Sequence, residues 1–288
     1  MRQHFTATEA SRLDVFVVQS IPDASRSFAS SLCDQGKVSI NGVVTYKTSA
    51  KVKTGDKIEI EFDKKLADTI PEISLEILYE DDDCIVIIKP EGVLTHSKGA
   101  FNPEATVSSF IRPYTIGMQD NRGGIVHRLD RVTSGVLICA KHEKALEWLQ
   151  QQFADRKAKK EYIAVVEGVP ETLEATIEMP IERNPKKPQT FRVGPNGKKA
   201  ETYYKVLKHT ADYSLVDLKP VTGRTHQLRV HMQQIGHPIV GDVLYGAQPA
   251  DRTYLHAHSL TITIPSGETK TFTAAVPSSF NDRVDSHG

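Results

Sequence analysis

Gly123-Gly124-Ile125-Val126-His127-Arg128-Leu129-Asp130-Arg131-Val132-Thr133-Ser134-Gly135 runs directly into Val136-Leu137-Ile138-Cys139-Ala140-Lys141. The second half is a short, unbroken apolar run with β-branched residues, which reads as a strand buried on both faces. The first half places an acid between two arginines at the entry to that strand. Nearby positive charge favours the ionised carboxylate, so Arg128 and Arg131 predict a charged Asp130. The same pattern also suits a structural salt bridge, because ion pairs that perturb a pKa are often only structural.

Outward from this strand, residues 84–88, 162–167, 202–207, 214–218 and 261–264 read as further buried or half-buried strands. Two helices are interspersed. Residues 142–156 carry Leu146, Leu149 and Phe153 at helical spacing, and residues 225–235 end at Gly236 with Pro238 beyond. An α+β fold is expected. No repeat or low-complexity segment is visible.

The N-terminal part has its own periodicity. Ser11 is expected to cap a first helix carrying Leu13, Phe16, Val17 and Ile21; Pro22 interrupts it, Ser25 starts a second, and Gly36 stops that one. Val38 and Ile40 then alternate with polar residues, Asn41-Gly42 signals a tight hairpin, and a third strand covers residues 57–62. Helix, helix, hairpin and strand make a small unit of αα-β order. The polar stretch 63–68, closed by Pro71, reads as a linker, so domains are expected at 1–70 and 71–288.

Composition narrows the class. At 288 residues and 39% hydrophobic, the chain can bury one large core and one smaller one. Lys+Arg 36 balances Asp+Glu 36, so any polyanion reading rests on where charge sits. Cys33, Cys84 and Cys139 are an odd, scattered set, which fits a reducing cytoplasm better than a disulfide framework or a zinc site. The segment starting at Met1 has no basic-then-apolar pattern, and no apolar run reaches the ~18 residues of a bilayer span. A soluble monomer without a membrane partner is expected.

Two further segments concentrate polar groups between apolar runs. Lys159-Lys160-Glu161-Tyr162 opens a strand ending at Gly168; its tyrosine suits base stacking or ordinary strand packing. Gly223-Arg224-Thr225-His226-Gln227-Leu228-Arg229-Val230-His231 gathers cations at a helix start, where anions are favoured. A metal reading of His226 and His231 fails on their five-residue spacing. His256 and His258 share a strand face by spacing but show no third ligand, so no metal site is expected. From 183 to 208, Arg183, Lys186, Lys187, Arg192, Lys198, Lys199, Lys205 and Lys208 face only Glu201 within the run. This Pro- and Gly-rich loop is expected to contact phosphates, with Lys186, Lys187, Lys198 and Lys199 as its core.

In this order, His127-Arg128-Leu129-Asp130 with Thr133-Ser134-Gly135, then residues 160–168, then residues 223–231 resemble the motifs of the pseudouridine synthase family that modifies ribosomal and transfer RNA. The likeness is to its branch related to the large-subunit ribosomal RNA enzymes. Lys89-Pro90-Glu91-Gly92 with His96 is similar to an earlier family segment, so the resemblance covers roughly residues 75–277. It departs at Thr95-His96-Ser97, where an apolar residue and a proline would be expected. Residues 11–62 resemble an S4 RNA-binding domain. The resemblance implies a pseudouridine synthase-type catalytic domain with a mixed, mainly antiparallel sheet, in which Asp130 is the reactive carboxylate and Tyr162 receives the flipped base. It further implies that Arg229 keeps Asp130 charged and aimed, Arg128 fills the vacated space, Leu228 walls the pocket, and His127 belongs to the substrate site. Arg26, Lys37 and Asn41 would face RNA.

The implied reaction breaks the ribose C1′–N1 bond, rotates the uracil and joins C1′ to C5. It involves no net redox change, so no cofactor is expected. The substrate is expected to be structured RNA, ribosomal rather than transfer RNA; a noncatalytic RNA-binding or assembly factor and a metal-dependent hydrolase are the alternatives.

Overall fold

A computed structural model describes residues 2–22, 24–63, 72–96, 104–118 and 123–286. The described residues fall into two compact units, one of residues up to 73 with 96 and 104–110, the other of residues 74–95, 111–118 and 123 onward. The linker expected at 63–71 lies almost wholly outside the described residues.

The first unit holds β1 (Arg2–Thr6), β2 (Ser11–Arg12), α1 (Leu13–Ser20), α2 (Arg26–Asp34), β3 (Val38–Ile40), β4 (Val43–Val44), β5 (Lys51–Val52) and β6 (Lys57–Glu61). The sheet order is β1-β6-β3-β4, antiparallel throughout, with β2 paired to β5. Leu13, Phe16, Val17, Phe28 and Leu32 pack on Val38, Ile58 and Ile60. Ser25 caps α2 by accepting from the Phe28 N–H at 3.1 Å. Asn41 and Gly42 both have positive φ, 51° and 82°, as a tight hairpin turn requires.

Two expectations are corrected here. Ser11 lies in β2 and does not cap α1; the capping position is Arg12, whose guanidinium instead pairs with Asp14 in the first turn. The edge strand β1 was not foreseen; polar Arg2, Gln3 and His4 obscure its alternation, and pairing with β6 supplies the order.

The second part of the chain contains β7 (Glu76–Glu80), β8 (Cys84–Lys89), α3 (Val107–Ile111), β9 (Ser134–Ala140), α4 (Glu143–Ala154), β10 (Lys159–Glu167), β11 (Glu174–Glu178), β12 (Ile181–Arg183), β13 (Phe191–Val193), β14 (Glu201–His209), β15 (Tyr213–Pro220), α5 (Gln227–Gln234), β16 (Leu255–Thr263), β17 (Thr269–Thr273) and α6 (Ser278–Asp285). Among the described residues, nine strands form one sheet in the order β11-β14-β15-β10-β16-β9-β8-β7, with β17 on β16. Among the described strands, only β16 and β9 pair in parallel. At that join Gly135 has φ +116°, and a Cβ there would overlap the Ala257 backbone, so only glycine fits.

Strand β10 is covered on both faces. Tyr162, Ala164 and Val166 cluster with Leu228 and Met232 of α5, whereas Ile163 and Val165 cluster with Phe280 and Val284 of α6. Helix α4 packs Ala145 and Leu149 on Val136, Ile138 and Ala140 of β9. It starts at His142, whose Nδ1 accepts from the Ala145 N–H at 3.2 Å. Opposite Glu161 and Tyr162, β16 contains one extra residue, His258, so alternation by two does not carry from His256 to His258. Their Nδ1 atoms meet Ser134 Oγ and the Ala274 carbonyl respectively. Among the described residues, no helix is long and apolar enough to cross a membrane.

Candidate active site

The apolar run that makes β9 a central strand fixes the end of the loop before it, and that loop carries Asp130. Residues 89–95 hold the loop from below. Thr95 Oγ1 donates to the Leu129 carbonyl at 2.8 Å and accepts from the Leu129 N–H at 3.2 Å, so this departure from the family pattern clamps the residue next to Asp130. The Gly92 N–H and the Lys89 ammonium both donate to the Arg131 carbonyl, and Lys89 also donates to Pro90 and Val93 carbonyls at 2.8 Å. Lys89 is fully buried, and burial pushes its pKa down to about 8.

The cation that meets Asp130 comes from another part of the chain. Arg131 donates to the Gly92 carbonyl at 3.0 Å and Arg128 is exposed on the cleft. Instead Arg229, on the first turns of α5, reaches Asp130 Oδ2 from Nη1 at 3.3 Å. The same guanidinium donates Nε to Asp242 Oδ2 at 2.6 Å and Nη2 to Asp242 Oδ1 at 2.8 Å. Burial opposes the charge on Arg229, but Asp242 and then Asp130 outweigh it and raise its pKa further. Tyr245 lies under the guanidinium, 4.9 Å from ring centroid to Cζ.

Helix α5 begins at Gln227, two residues later than expected, because His226 adopts a left-handed conformation with φ 56°. Gln227 secures the preceding turn: its amide nitrogen donates to the Glu201 carbonyl and Thr202 Oγ1, and its oxygen accepts from Thr222 Oγ1 and the Arg224 N–H. His226 Nε2 faces Asp130 Oδ1 at 3.9 Å while Nδ1 is 2.7 Å from the Tyr245 hydroxyl. His231 is buried with its ring nitrogens on Thr202 Oγ1 and the Met179 carbonyl. The two histidines are thus committed to separate partners, as expected from their spacing.

Asp130, His226, Gln227 and Arg229 line a cleft of about 480 Å³ that also includes Tyr162, Lys160, Leu228 and His127; Asp242 and Tyr245 stand behind it. Leu228 is buried beside Tyr162 and forms apolar wall. Burial, then the Asp130 charge, raises the Tyr162 pKa, so it remains a neutral phenol. His127 stacks on Phe153 at 4.5 Å and accepts from the Ile138 N–H at 3.2 Å; burial and then Lys160 push its pKa down to about 3. Its Nε2 is therefore already occupied. Burial likewise lowers Lys160 to about 8, and among the described residues no carboxylate pairs with it. Asp242, Tyr245 and Lys160 escaped the sequence reading as site residues. The signal for the first two was an acid and a tyrosine three apart between glycines, Gly241-Asp242-Val243-Leu244-Tyr245-Gly246.

The remaining predicted contacts lie elsewhere. Arg26 and Lys37 are exposed on the N-terminal unit. Asn41 is exposed too, but its side chain binds the Asp56 carboxylate and the Lys57 N–H, each at 2.9 Å, so it serves the turn. The basic run at 183–208 is not a bare loop: β13 pairs with β12, which ends at Arg183, and β14 covers the run from Glu201 onward. Nor are all its charges unopposed: Arg192 pairs with Glu182, Lys205 with Glu174 and Lys208 with Asp285. Lys186, Lys187, Lys198 and Lys199 remain exposed.

A loop aspartate, a strand tyrosine and a helix arginine converge on one cleft of a mixed sheet. Residues 83–234 match the family described as RNA pseudouridylate synthase, and residues 11–58 match the S4 domain. The ribosomal large subunit pseudouridine synthase D of Salmonella typhimurium is 36% identical over 294 residues, spanning 95% of this chain and 90% of that protein. Its counterpart in Borreliella burgdorferi is 37% identical, spanning 97% and 91%. The solved structure of human RNA Pseudouridylate Synthase Domain Containing 1 aligns with a TM-score of 0.60 at 30% identity, covering 72% of this chain and 86% of that one. The chain belongs to the RNA pseudouridylate synthase family. It is an isomerase acting on uridine in RNA.

Proposed function

We propose that this enzyme isomerises uridine in large-subunit ribosomal RNA, with Asp130 as the reactive carboxylate. The observation that carries the site assignment is the shared guanidinium: Arg229 is anchored on buried Asp242 and still presents Nη1 to Asp130, which leaves Oδ1 facing the cleft. A carboxylate held this way suits attack on C1′, addition to the ring or removal of a ribose proton. Tyr162 stacks on the extruded uracil, Leu228 closes the wall, and Arg128, exposed at the rim, occupies the space the base leaves. Lys160, Lys186, Lys187, Lys198 and Lys199 neutralise phosphates without reading sequence.

The ribosomal target rests on the names of the relatives and on the S4 match. We further propose that residues 1–70 select substrate while 71–288 perform the chemistry, and that the enzyme acts as a cytoplasmic monomer. The three cysteines are buried free thiols, consistent with a reducing compartment. Mapping pseudouridines in total RNA from cells with and without the active gene tests the target; a site lost only in transfer RNA would overturn the ribosomal assignment. A chain starting near residue 72 that folds but converts no uridine would overturn the division of roles. Sedimentation of the purified enzyme decides the monomer.

A further inference from the structure

We infer that His226 is a positioning residue for Asp130, held by Tyr245 as the neutral tautomer whose Nε2–H faces the carboxylate. The inference rests on Asp130 being the reactive group. The tautomer itself follows from counting donors, because a phenol has one proton to give. The Phe191 N–H, on β13, donates to the Tyr245 oxygen at 3.0 Å. That oxygen can also donate once, and the acceptor within reach is His226 Nδ1 at 2.7 Å. Tyr245 is 8% exposed, so a hydroxyl proton aimed elsewhere would be left without a partner. With Nδ1 accepting, the ring proton must sit on Nε2, which lies 3.9 Å from Asp130 Oδ1.

The arrangement splits the work on the carboxylate. Arg229 takes Oδ2, and the oxygen it leaves is the one that faces His226. A neutral N–H beside Oδ1 orients it without a second full charge and shortens to a hydrogen bond with a small ring shift. The backbone supports a built feature: His226 holds φ 56°, a left-handed conformation that few non-glycine residues adopt. The edges of Phe191 and Tyr245 confine the ring, with centroids at 5.5 and 5.6 Å.

The charged and titratable groups around the imidazole come from three elements. Asp130 and Arg128 face it from the loop before β9, Arg229 from α5, and Asp242 with Tyr245 from the turn after α5. Burial lowers the His226 pKa most, Asp130 and Asp242 oppose this, and the two arginines reinforce it. The Tyr245 phenol, raised to about 12 by burial, keeps its proton throughout the working range.

Tyr245→Phe is the discriminating variant, because it removes only the hydroxyl and leaves a ring under Arg229. With the full-length enzyme, we expect kcat to fall about tenfold, KM to stay within about twofold, and the acid limb of the kcat profile to move upward as freed Nδ1 takes a proton. His226→Gln, which keeps an N–H donor near the Nε2 position, should retain more activity than His226→Ala. Long-range ¹H–¹⁵N spectra of the RNA-free enzyme at pH 7 should show His226 protonated at Nε2, with its signal assigned by loss in His226→Gln. A ring protonated at Nδ1 overturns the inference regardless of activity. So does Tyr245→Phe with unchanged kcat and pH profile while Asp130→Asn is dead. An active Asp130→Asn would instead remove the underlying reading of the site.

Discussion

Arg229 and Asp242 form a two-point buried ion pair, with nitrogen–oxygen distances of 2.6 and 2.8 Å and side chains 5% and 2% exposed. The contact of Arg229 with Asp130 is longer, 3.3 Å, and the aspartate is less buried. Arg229 is therefore fixed by Asp242 and offered to Asp130.

Asp242→Asn should damage both stability and activity. It leaves a buried guanidinium with half its compensation, at a cost on the order of 3 kcal/mol, and frees Arg229 to move onto Asp130. Urea denaturation should show the loss, and tritium release from 5-tritiated uridine in RNA should show reduced kcat in the folded fraction. Wild-type stability would contradict the anchoring role.

Asp130→Asn should behave in the opposite way. Arg229 keeps its pair with Asp242, so no buried charge is orphaned and the midpoint of unfolding should shift by less than about 1 kcal/mol. Conversion of uridine should drop below detection while RNA affinity stays near wild type. Substantial turnover would refute Asp130 as the reactive carboxylate.

Acid lability should begin in the histidine range. Burial holds His127 to about 3 and His256 to about 4 in the folded protein, against about 6.5 when unfolded. Below pH 6.5 the unfolded chain binds protons that the folded one refuses, so stability falls as pH drops, by roughly 1.4 kcal/mol per pH unit for each group until its folded pKa is reached. Denaturation midpoints at pH 7, 6 and 5 check this. The decline should shrink in a folded His256→Asn variant.

Lys160→Met should weaken RNA binding several-fold at pH 7. The wild-type ammonium, at about 8, loses its charge as pH rises, so wild-type affinity should fall between pH 7 and 9 more steeply than that of the variant. Parallel pH profiles for the two would show that Lys160 touches no phosphate.

Among the charges of residues 183–208, position predicts unequal effects. Neutralising Lys186, Lys187, Lys198 and Lys199 together should reduce the slope of log affinity against log salt by about 3, whereas changing Arg192, Lys205 and Lys208 should alter it less, since each already faces a carboxylate. Equal slopes in all variants would make the run a solvated face.

What the sequence determined on its own was local and periodic. The apolar run before Lys141 made β9, Asn41-Gly42 made the hairpin turn, Ser25 and His142 stood at helix starts, and three ordered motifs pointed to Asp130, Tyr162 and Arg229. These follow from backbone sterics and side-chain alternation, which act over a few residues. Tertiary structure alone decided which charges meet. Arg128 and Arg131 stand beside Asp130 in the chain, yet Arg229 pairs with it from 99 residues away, because the packing of α5 on the sheet brings the two together. Lys160 joined the cleft, and Asp242 and Tyr245 came to hold Arg229 and His226 behind it, only when β10, α5 and the loop before β9 were brought together. Sheet pairing likewise ordered β1, whose polar residues carry little intrinsic strand signal, through hydrogen bonds to β6.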